Sequence, residues 1–245
     1  MSGHSKWHNI QATKSKADAA RGKIFTKIGR EIAVAVKLGG PDPNTNSKLY
    51  DVIQKAKSNN MPHDNIQRSI KKAVGGEEGG NYDAVTYEGY GIRGVAFIVE
   101  CLTDNRNRTA ADVRHLFDKF NGSLGTSGSV TYMFDYKGIV VVSRKDGMQE
   151  DDVMMVALDN GADDVLVDSE CFEILTAPDK LHTVAKAFES SGYTLVSSEV
   201  EYIPQNEIKL DKESAISVNK LILALEDLDD VQNVYTSADL SAMDE

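Results

Sequence analysis

The chain has 245 residues, of which 41% are hydrophobic and 27% charged, and its 27 basic and 38 acidic side chains give a net charge of −11 at neutral pH. This composition is typical of a globular protein, and no apolar run approaches the roughly 20 residues that a membrane helix needs. Two cysteines are too few for a disulfide framework, and the polar N-terminus lacks an apolar signal segment, so we expect a protein of the reducing cytoplasm with no membrane association.

The charges are divided unevenly along the chain. Residues 1–76 contain 14 basic and five acidic side chains, a balance of +9, whereas the remaining residues contain 13 basic and 33 acidic side chains, a balance of −20. A division this steep predicts a polyanion-binding module joined to an acidic body. We expect the acidic body to recruit or orient a protein partner.

The first predicted helix covers residues 13–38, follows a polar arm that contains Trp7, and ends at Gly39-Gly40. At about 100° per residue, its cations form one narrow stripe: Lys16, Lys23, Lys27, Arg30 and Lys37. Its apolar residues form a second stripe, about 120° away: Ile24, Ile28, Ile32 and Ala35. One face can therefore pack on a core while the other meets a phosphate backbone, whose condensed counterions are released on binding. The alternative interpretation is the solvated face of a charged helix.

Two shorter helices are predicted next, at residues 46–59 and 62–75. Their apolar residues recur at helical spacing: Leu49, Val52, Ile53, Ala56, Ile66, Ile70 and Ala73. Three helices joined by short turns predict a small bundle, and we assign residues 1–80 to a basic helical domain.

From residue 81 the pattern changes to strands. Strands are predicted at residues 85–87 and 95–102 around a turn at 89–91, followed by a helix capped by Thr109 and a strand at 130–134. This gives the order ββαβ.

Residues 136–203 show a fuller version of the same pattern. The predicted elements are a strand at 139–142, a helix from Asp151 or Asp152, a hairpin at 165–167 and 171–175, a helix capped by Asp179, and a strand at 193–202. The order βαββαβ is that of a ferredoxin-like sandwich.

The last predicted elements are a helix through Ile216, Leu221 and Leu225 and a strand at 231–235, which can supply the helix and strand that residues 81–135 lack. We therefore predict an α+β multidomain protein in which a three-helix domain precedes two ferredoxin-like α+β domains. One of these is discontinuous, residues 81–135 plus 204–245, and the other, residues 136–203, is inserted in it.

Enzyme motifs are lacking in the sequence. There is no phosphate-binding GxxxxGK[ST], no GxGxxG between a strand and a helix, and no GxSxG. His4 and His8 have no carboxylate or thiol partner in their pattern, and adjacent acidic pairs point apart, so neither predicts a metal site. We predict no catalytic residue, no metal and no cofactor.

The candidate binding residues extend beyond the first helix. Arg106 and Arg108 stand at a helix N-terminus, which can bind phosphate, although a turn and cap explains that segment equally well. Trp7 can stack on a base or fill a small core. The candidate nucleic-acid-binding residues are Lys6, Trp7, Lys14, Lys16, Arg21, Lys23, Lys27, Arg30, Lys37, Lys55, Lys57, Arg68, Lys71, Lys72, Arg106 and Arg108.

Five segments together resemble the YebC/PmpR family, which includes a mitochondrial translational activator of cytochrome oxidase. They are GHSKWHNIQATKSKADAARGKIFTKIGREI, MPHDNIQRSIKKA, YEGYG, TDNRNRTAADVRHLF and GSLGTSGSVTYMF. The likeness covers nearly the whole chain and implies a helical N-terminal domain and two α+β domains, one inserted in the other. It implies either DNA-binding transcriptional regulation or translation control on the ribosome, including relief of stalling at proline runs.

The leading hypothesis is a non-enzymatic nucleic-acid-binding regulator whose partner is DNA, or rRNA or tRNA on the ribosome. The family resemblance favours DNA and transcription. The diffuse cationic surface, without an evident recognition helix or an RNP-type aromatic motif, favours translation and RNA. A second hypothesis is an adaptor whose basic domain docks on an acidic protein, and an enzyme is the third.

Overall fold

The computed structural model describes residues 18–75 and 81–243, with side chains described from Arg21 onward. Within these residues the chain forms two compact units, one of residues 18–75 and 136–201 and the other of residues 81–135 and 202–243. The described residues form seven α-helices and largely antiparallel sheets, so the predicted α+β class is confirmed. The boundaries of the three predicted domains stay a prediction.

The elements, in chain order, are α1 (Asp18–Gly39), α2 (Ser47–Ser58), α3 (His63–Val74), β1 (Asp83–Tyr90), β2 (Ala96–Thr103), α4 (Arg106–Lys119), β3 (Ser123–Leu124), β4 (Phe134–Ser143), α5 (Glu150–Asp159), β5 (Asp164–Val167), β6 (Cys171–Thr176), α6 (Leu181–Ser190), β7 (Leu195–Pro204), β8 (Ile208–Lys209), α7 (Lys212–Glu226), β9 (Val231–Thr236) and β10 (Ala238–Asp239). In the described part of the chain, no helix combines the length and the apolar character needed to span a bilayer. Residues 13–17, predicted as the start of the first helix, lie outside the described residues.

Helices α1, α2 and α3 pack around one apolar core. Its buried side chains are Ile28, Ile32, Ala35, Val36, Leu49, Val52, Ala56, Met61, Ile66 and Ile70. These include most of the residues that helical spacing predicted for the inner faces. Each large aliphatic side chain stabilises the bundle by about 1.5–3 kcal/mol through its removal from water.

The end of α1 is fixed to the start of α2 by one buried amide. Asn46 Nδ2 donates to the carbonyl oxygens of Ala35 and Gly40, each at 2.8 Å, and its Oδ1 accepts from Leu49 N at 3.0 Å. A Cβ at Gly39 would lie 2.7 Å from Asn46 Cγ, so this close approach requires glycine. The side chain therefore closes α1 and caps α2 at the same time.

Two four-stranded sheets share one spatial plan. The first has the order β5-β6-β4-β7, which is that of a ferredoxin-like βαββαβ unit, with α5 and α6 packed in its core. The second has the order β3-β1-β2-β9 and is packed by α4 and α7, the latter of which comes from the C-terminal part of the chain. Cys101 in β2 and Cys171 in β6 are buried and are not joined in a disulfide.

The predicted strand at residues 130–134 is wrong, because these residues form a 3-10 turn at Thr131–Met133 and β4 begins only at Phe134. The cause is the buried carboxylate of Glu88, which accepts hydrogen bonds from the backbone N–H groups of Val130 at 2.8 Å and Thr131 at 2.9 Å. Backbone donors bound in this way cannot enter a strand ladder.

The predicted helix caps are also wrong at two places. Asn105, rather than Thr109, caps α4, accepting from Arg108 N at 3.0 Å. Thr109 lies inside the helix, and its buried hydroxyl is hydrogen-bonded to Asp230 at 2.7 Å. Asp179 makes no capping hydrogen bond, because it lies in the 3-10 turn Pro178–Lys180 that leads into α6. The turn placed at residues 89–91 begins two residues later, since β1 continues to Tyr90.

Candidate nucleic-acid interface

The cations of α1 lie on the side of the helix that faces away from the bundle core. Lys23 and Lys37 are exposed, and Lys27 and Arg30 are half-buried. On an ideal helix these four positions lie roughly opposite the buried positions of α1. From residue 19 to residue 39 the helix contains a single acidic residue, Glu31, and its carboxylate binds Lys55 of α2 at 2.9 Å.

Helix α3 adds a second row of cations. Arg68, Lys71 and Lys72 are exposed and occupy positions i, i+3 and i+4, while Ile66 and Ile70 are buried in the bundle. Among the described residues, no carboxylate lies within ion-pair distance of these three cations; Arg68 has a long hydrogen bond, 3.4 Å, to the amide oxygen of its neighbour Asn65. Lys71 and Lys72 stand in the last turn of α3, where the helix dipole favours positive charge.

Helix α2 contributes two more exposed cations, Lys48 and Lys57. Within the described part of the chain, neither is paired with a carboxylate. Lys57 is among the predicted binding residues and Lys48 is not. The signal that could have found Lys48 is its place in the first turn of a helix, beside the predicted N-terminus at Asn46, where a polar residue is normally solvated.

The structure does not support Lys55 as a nucleic-acid contact. Its Nζ lies 2.9 Å from Glu31 and 3.7 Å from Glu199, and its side chain is only 19% exposed. Burial alone would lower the pKa of Lys55, but the carboxylates of Glu199 and Glu31 outweigh burial and raise it. The ammonium is therefore held charged inside the molecule by its own acids.

The neighbouring positions of α2 are also engaged inside this compact unit. Tyr50 Oη donates to Glu189 at 2.7 Å, and Asp51 Oδ1 lies 3.0 Å from His182 Nδ1. The hydrogen bond to Glu189, followed by burial, raises the pKa of Tyr50, and burial raises that of Asp51 against the opposing effect of His182. This side of α2 therefore packs on α6 and is not available to a ligand.

Arg106 and Arg108 are bound to nearby carboxylates. These ion pairs do not favour the predicted phosphate site at the N-terminus of α4. Arg106 Nε lies 3.0 Å from Asp83, and one guanidinium nitrogen of Arg108 contacts both Asp104 at 2.8 Å and Asp230 at 2.7 Å. The alternative interpretation, a turn and cap with local hydrogen bonds, describes this segment better, because Asn105 caps the helix.

The remaining candidates divide into two groups. Arg21 is exposed at the beginning of the described side chains. Lys6, Trp7, Lys14 and Lys16 lie outside the described residues, as do His4 and His8. Arg106 and Arg108 are exposed as well but are paired with carboxylates, so the exposed candidates of the bundle lie on α1 and α3, with Lys57 on α2.

The glycine-rich loop between β3 and β4 is tied to the sheet by Glu88. Its carboxylate also accepts from Gly128 N at 2.6 Å. Burial alone would raise the pKa of Glu88, but the three backbone donors outweigh it and hold the pKa below its ordinary value. A Cβ at Gly122, just before β3, would lie 2.7 Å from the carbonyl oxygen of Tyr90, so the chain also enters β3 through a close approach.

Comparison with known proteins gives two matches to family models. The model described as the TACO1/YebC protein N-terminal domain matches residues 5–76, and the model described as the TACO1/YebC second and third domain matches residues 82–238. Together they cover most of the chain.

Similar proteins occur in several bacteria. A "probable transcriptional regulatory protein" of Acetivibrio thermocellus is 59% identical over 236 residues, covering 96% of this chain and 98% of that protein. One of the same description in Clostridium tetani is 56% identical over 239 residues, covering 98% and 97%. The crystal structure of a conserved hypothetical protein from Aquifex aeolicus matches with a TM-score of 0.81 and 43% identity, covering 92% of this chain and 93% of that one.

Proposed function

The chain belongs to the TACO1/YebC family, and from that premise we propose that it is a non-enzymatic, nucleic-acid-binding regulator of gene expression that acts on DNA in transcription. The names of the Acetivibrio and Clostridium relatives support a regulatory role. The resemblance to the YebC family predicted from the five sequence segments is confirmed by the same matches.

The observation that carries the proposal is the set of exposed cations on α2 and α3. Lys57, Arg68, Lys71 and Lys72 have no carboxylate within ion-pair distance in the described part of the chain, although the protein contains 38 acidic residues. A protein with net charge −11 repels a polyanion on average, so binding requires a local surface of this kind. The cations of α1 belong to the same bundle and lie on the side of that helix away from its core.

One feature of the bundle supports duplex DNA. Helices α2 and α3 are joined by residues 59–62, a connection within the length range of helix-turn-helix motifs. The exposed face of α3 presents Gln67 and Arg68, whose side chains can hydrogen-bond to base edges.

A different feature supports a second candidate function, a translation factor bound to ribosomal RNA or tRNA. The exposed cations are spread over α1, α2 and α3 instead of being concentrated on one helix. A broad cationic surface fits the irregular backbone of folded RNA, which is recognised mainly by shape and phosphate contacts.

The test is a salt titration of binding to a random-sequence DNA duplex and to purified ribosomes. Three to seven phosphate contacts predict a log–log slope of about −3 to −6 on duplex DNA. Replacing Arg68, Lys71 and Lys72 by Glu should abolish binding to whichever polymer is the target. The matched control replaces the exposed lysines Lys209, Lys212 and Lys220 by Glu, which changes net charge equally but lies outside the bundle.

The outcomes separate the candidates. Selective loss of DNA binding in the α3 variant supports transcription control, and selective loss of ribosome co-sedimentation supports translation control. Equal affinities of the α3 variant and the control variant for both polymers would remove the bundle from the site.

A further inference from the structure

The ferredoxin-like sheet carries an exposed apolar surface on α5. Met154, Met155 and Leu158 are 38%, 60% and 65% exposed. We call these three side chains the α5 patch. At about 100° per residue they lie within an arc of roughly 100°, on the side of α5 away from Val153 and Ala157, which are buried in the core. Helix α5 is therefore apolar on two sides, as is typical of a helix that is covered on both.

The neighbouring edge strand extends this exposed apolar surface. Strand β5 lies at the edge of its sheet, and Val167 pairs with Phe172 on the face against which α5 and α6 pack. Val167 remains 40% exposed and Leu166, on the other face, 48%. Five of the eleven large hydrophobic residues exposed in the described part of the chain thus fall between residues 154 and 167. Exposed apolar side chains that cluster in this way, unlike isolated ones, indicate an interaction surface.

The surroundings of the α5 patch are strongly acidic. Residues 145–170 contain nine acidic side chains and one lysine, and of these acids Glu150 and Asp163 are paired with Arg144 and Lys137. Asp151, Asp152 and Asp159 are exposed, and none of them has a cation within ion-pair distance among the described residues. The dipole of α5 favours the acids of its first turn but disfavours Asp159 at its C-terminal end. A cationic partner would offset that cost.

From this combination we infer that the α5 patch is a docking site for a cationic amphipathic helix of another protein. Apolar side chains of the partner would cover Met154, Met155 and Leu158, and its lysines or arginines would meet the surrounding carboxylates. Nucleic acid is the wrong chemistry for this surface, because the exposed carboxylates of Asp151, Asp152 and Asp159 repel phosphate. The site lies on a different part of the chain from the cations of α1 and α3, and its existence does not depend on the proposed function.

The experiment uses the full chain and a fluorescently labelled amphipathic peptide of leucine and lysine, about 14 residues or four helical turns long. Anisotropy gives its dissociation constant, and the same peptide with glutamate in place of lysine is the ligand control. The patch variant is Met155→Ser with Leu158→Ser. The matched protein control is Ile216→Ser with Leu223→Ser on α7, whose side chains are 38% and 45% exposed.

We expect the lysine peptide to bind the wild-type and α7 variant proteins equally and the patch variant at least ten-fold more weakly, whereas the glutamate peptide should not bind. A second variant, Asp151→Asn with Asp159→Asn, keeps the apolar side chains and should weaken binding at least three-fold while flattening its salt dependence. Met155, Leu158, Asp151 and Asp159 are all exposed, so both α5 variants should melt at the wild-type temperature.

Four results would overturn the inference. The patch variant could bind the lysine peptide as well as the wild type does, or both peptides could bind equally. Sedimentation could also show a dimer that the patch variant dissociates, in which case a second copy of the chain covers α5. Competition by a single-stranded RNA oligomer for the peptide site would equally exclude a protein helix as the occupant.

Discussion

Helices α2 and α3 have twelve residues each and carry three lysine or arginine side chains each, yet within the described part of the chain one cation of α2 is enclosed by carboxylates and none of α3 is. In α2, Lys55 is enclosed between Glu31 and Glu199. In α3, all three cations are exposed and have no carboxylate partner among the described residues. The composition of a helix therefore does not decide whether its cations serve the fold or a ligand. The acids that the rest of the fold brings near them decide it.

The largest expected effect on stability comes from removing the enclosed cation, Lys55. Lys55→Ala should lower the free energy of unfolding by about 3–5 kcal/mol, because it leaves the carboxylates of Glu31 and Glu199 close together without their cation. Urea denaturation measures this change. The control is Lys57→Ala, two residues further along the same helix and exposed, which should cost less than about 0.5 kcal/mol. Equal costs for the two variants would refute the distinction between enclosed and open cations.

An enclosed anion should behave like the enclosed cation, with a smaller effect. Glu88 is 5% exposed and accepts hydrogen bonds from three backbone N–H groups, at Gly128, Val130 and Thr131. Glu88→Gln should lower the free energy of unfolding by about 1–3 kcal/mol at neutral pH, because an amide has one acceptor oxygen where the carboxylate has two.

The pH dependence of this difference follows from the lowered pKa of Glu88. A carboxyl group with a depressed folded-state pKa contributes stability above its unfolded-state pKa and loses it as the pH falls through the folded-state value. The difference between wild type and Glu88→Gln should therefore be constant at neutral pH and shrink below about pH 4. Urea titrations at several pH values check this, and a difference that grows in acid would contradict it. Glu213→Gln, at an exposed site, is the control.

The smallest effect on stability is expected at the exposed lysines of α3. Lys71→Ala with Lys72→Ala should change the free energy of unfolding by less than about 1 kcal/mol, since only the helix dipole is affected. The same variant should bind nucleic acid more weakly, about uniformly across base sequences, and should reduce the salt slope by about two. Filter binding at several salt concentrations measures the affinity and the salt slope. A stable variant with an unchanged slope would show that these lysines do not contact phosphate.

The sequence was sufficient for the parts of the fold that depend on local pattern. Helical spacing predicted the buried faces of α1, α2 and α3, and the order of elements predicted the ferredoxin-like sheet, whose strand order the structure confirms. Local pattern failed where a side chain from a distant part of the chain changes the outcome. Glu88 prevents residues 130–134 from forming a strand, and Asp230 binds the hydroxyl of Thr109, 121 residues away in sequence.

The candidate site shows the same division. Periodicity placed the cations of α1 on one helix face, but the sequence could not distinguish Lys55 from Lys57, because Glu199 lies in β7, far along the chain. Nor could it show that Arg106 and Arg108 are paired with the carboxylates of Asp83, Asp104 and Asp230. A list of basic residues from a sequence is therefore an upper bound on the cations that a ligand can reach.

The ion pairs of Lys55 also have a consequence for how this protein varies between species. Loss of the lysine alone leaves two carboxylates without their cation, and loss of Glu31 alone leaves Lys55 with only the more distant Glu199, so selection should disfavour single changes at these positions. Substitutions at positions 31, 55 and 199 should then be inherited together, as a charge reversal or as replacement by apolar residues of similar volume. Covariation of these three positions among related sequences would show that the helical segment and the ferredoxin-like sheet evolved together.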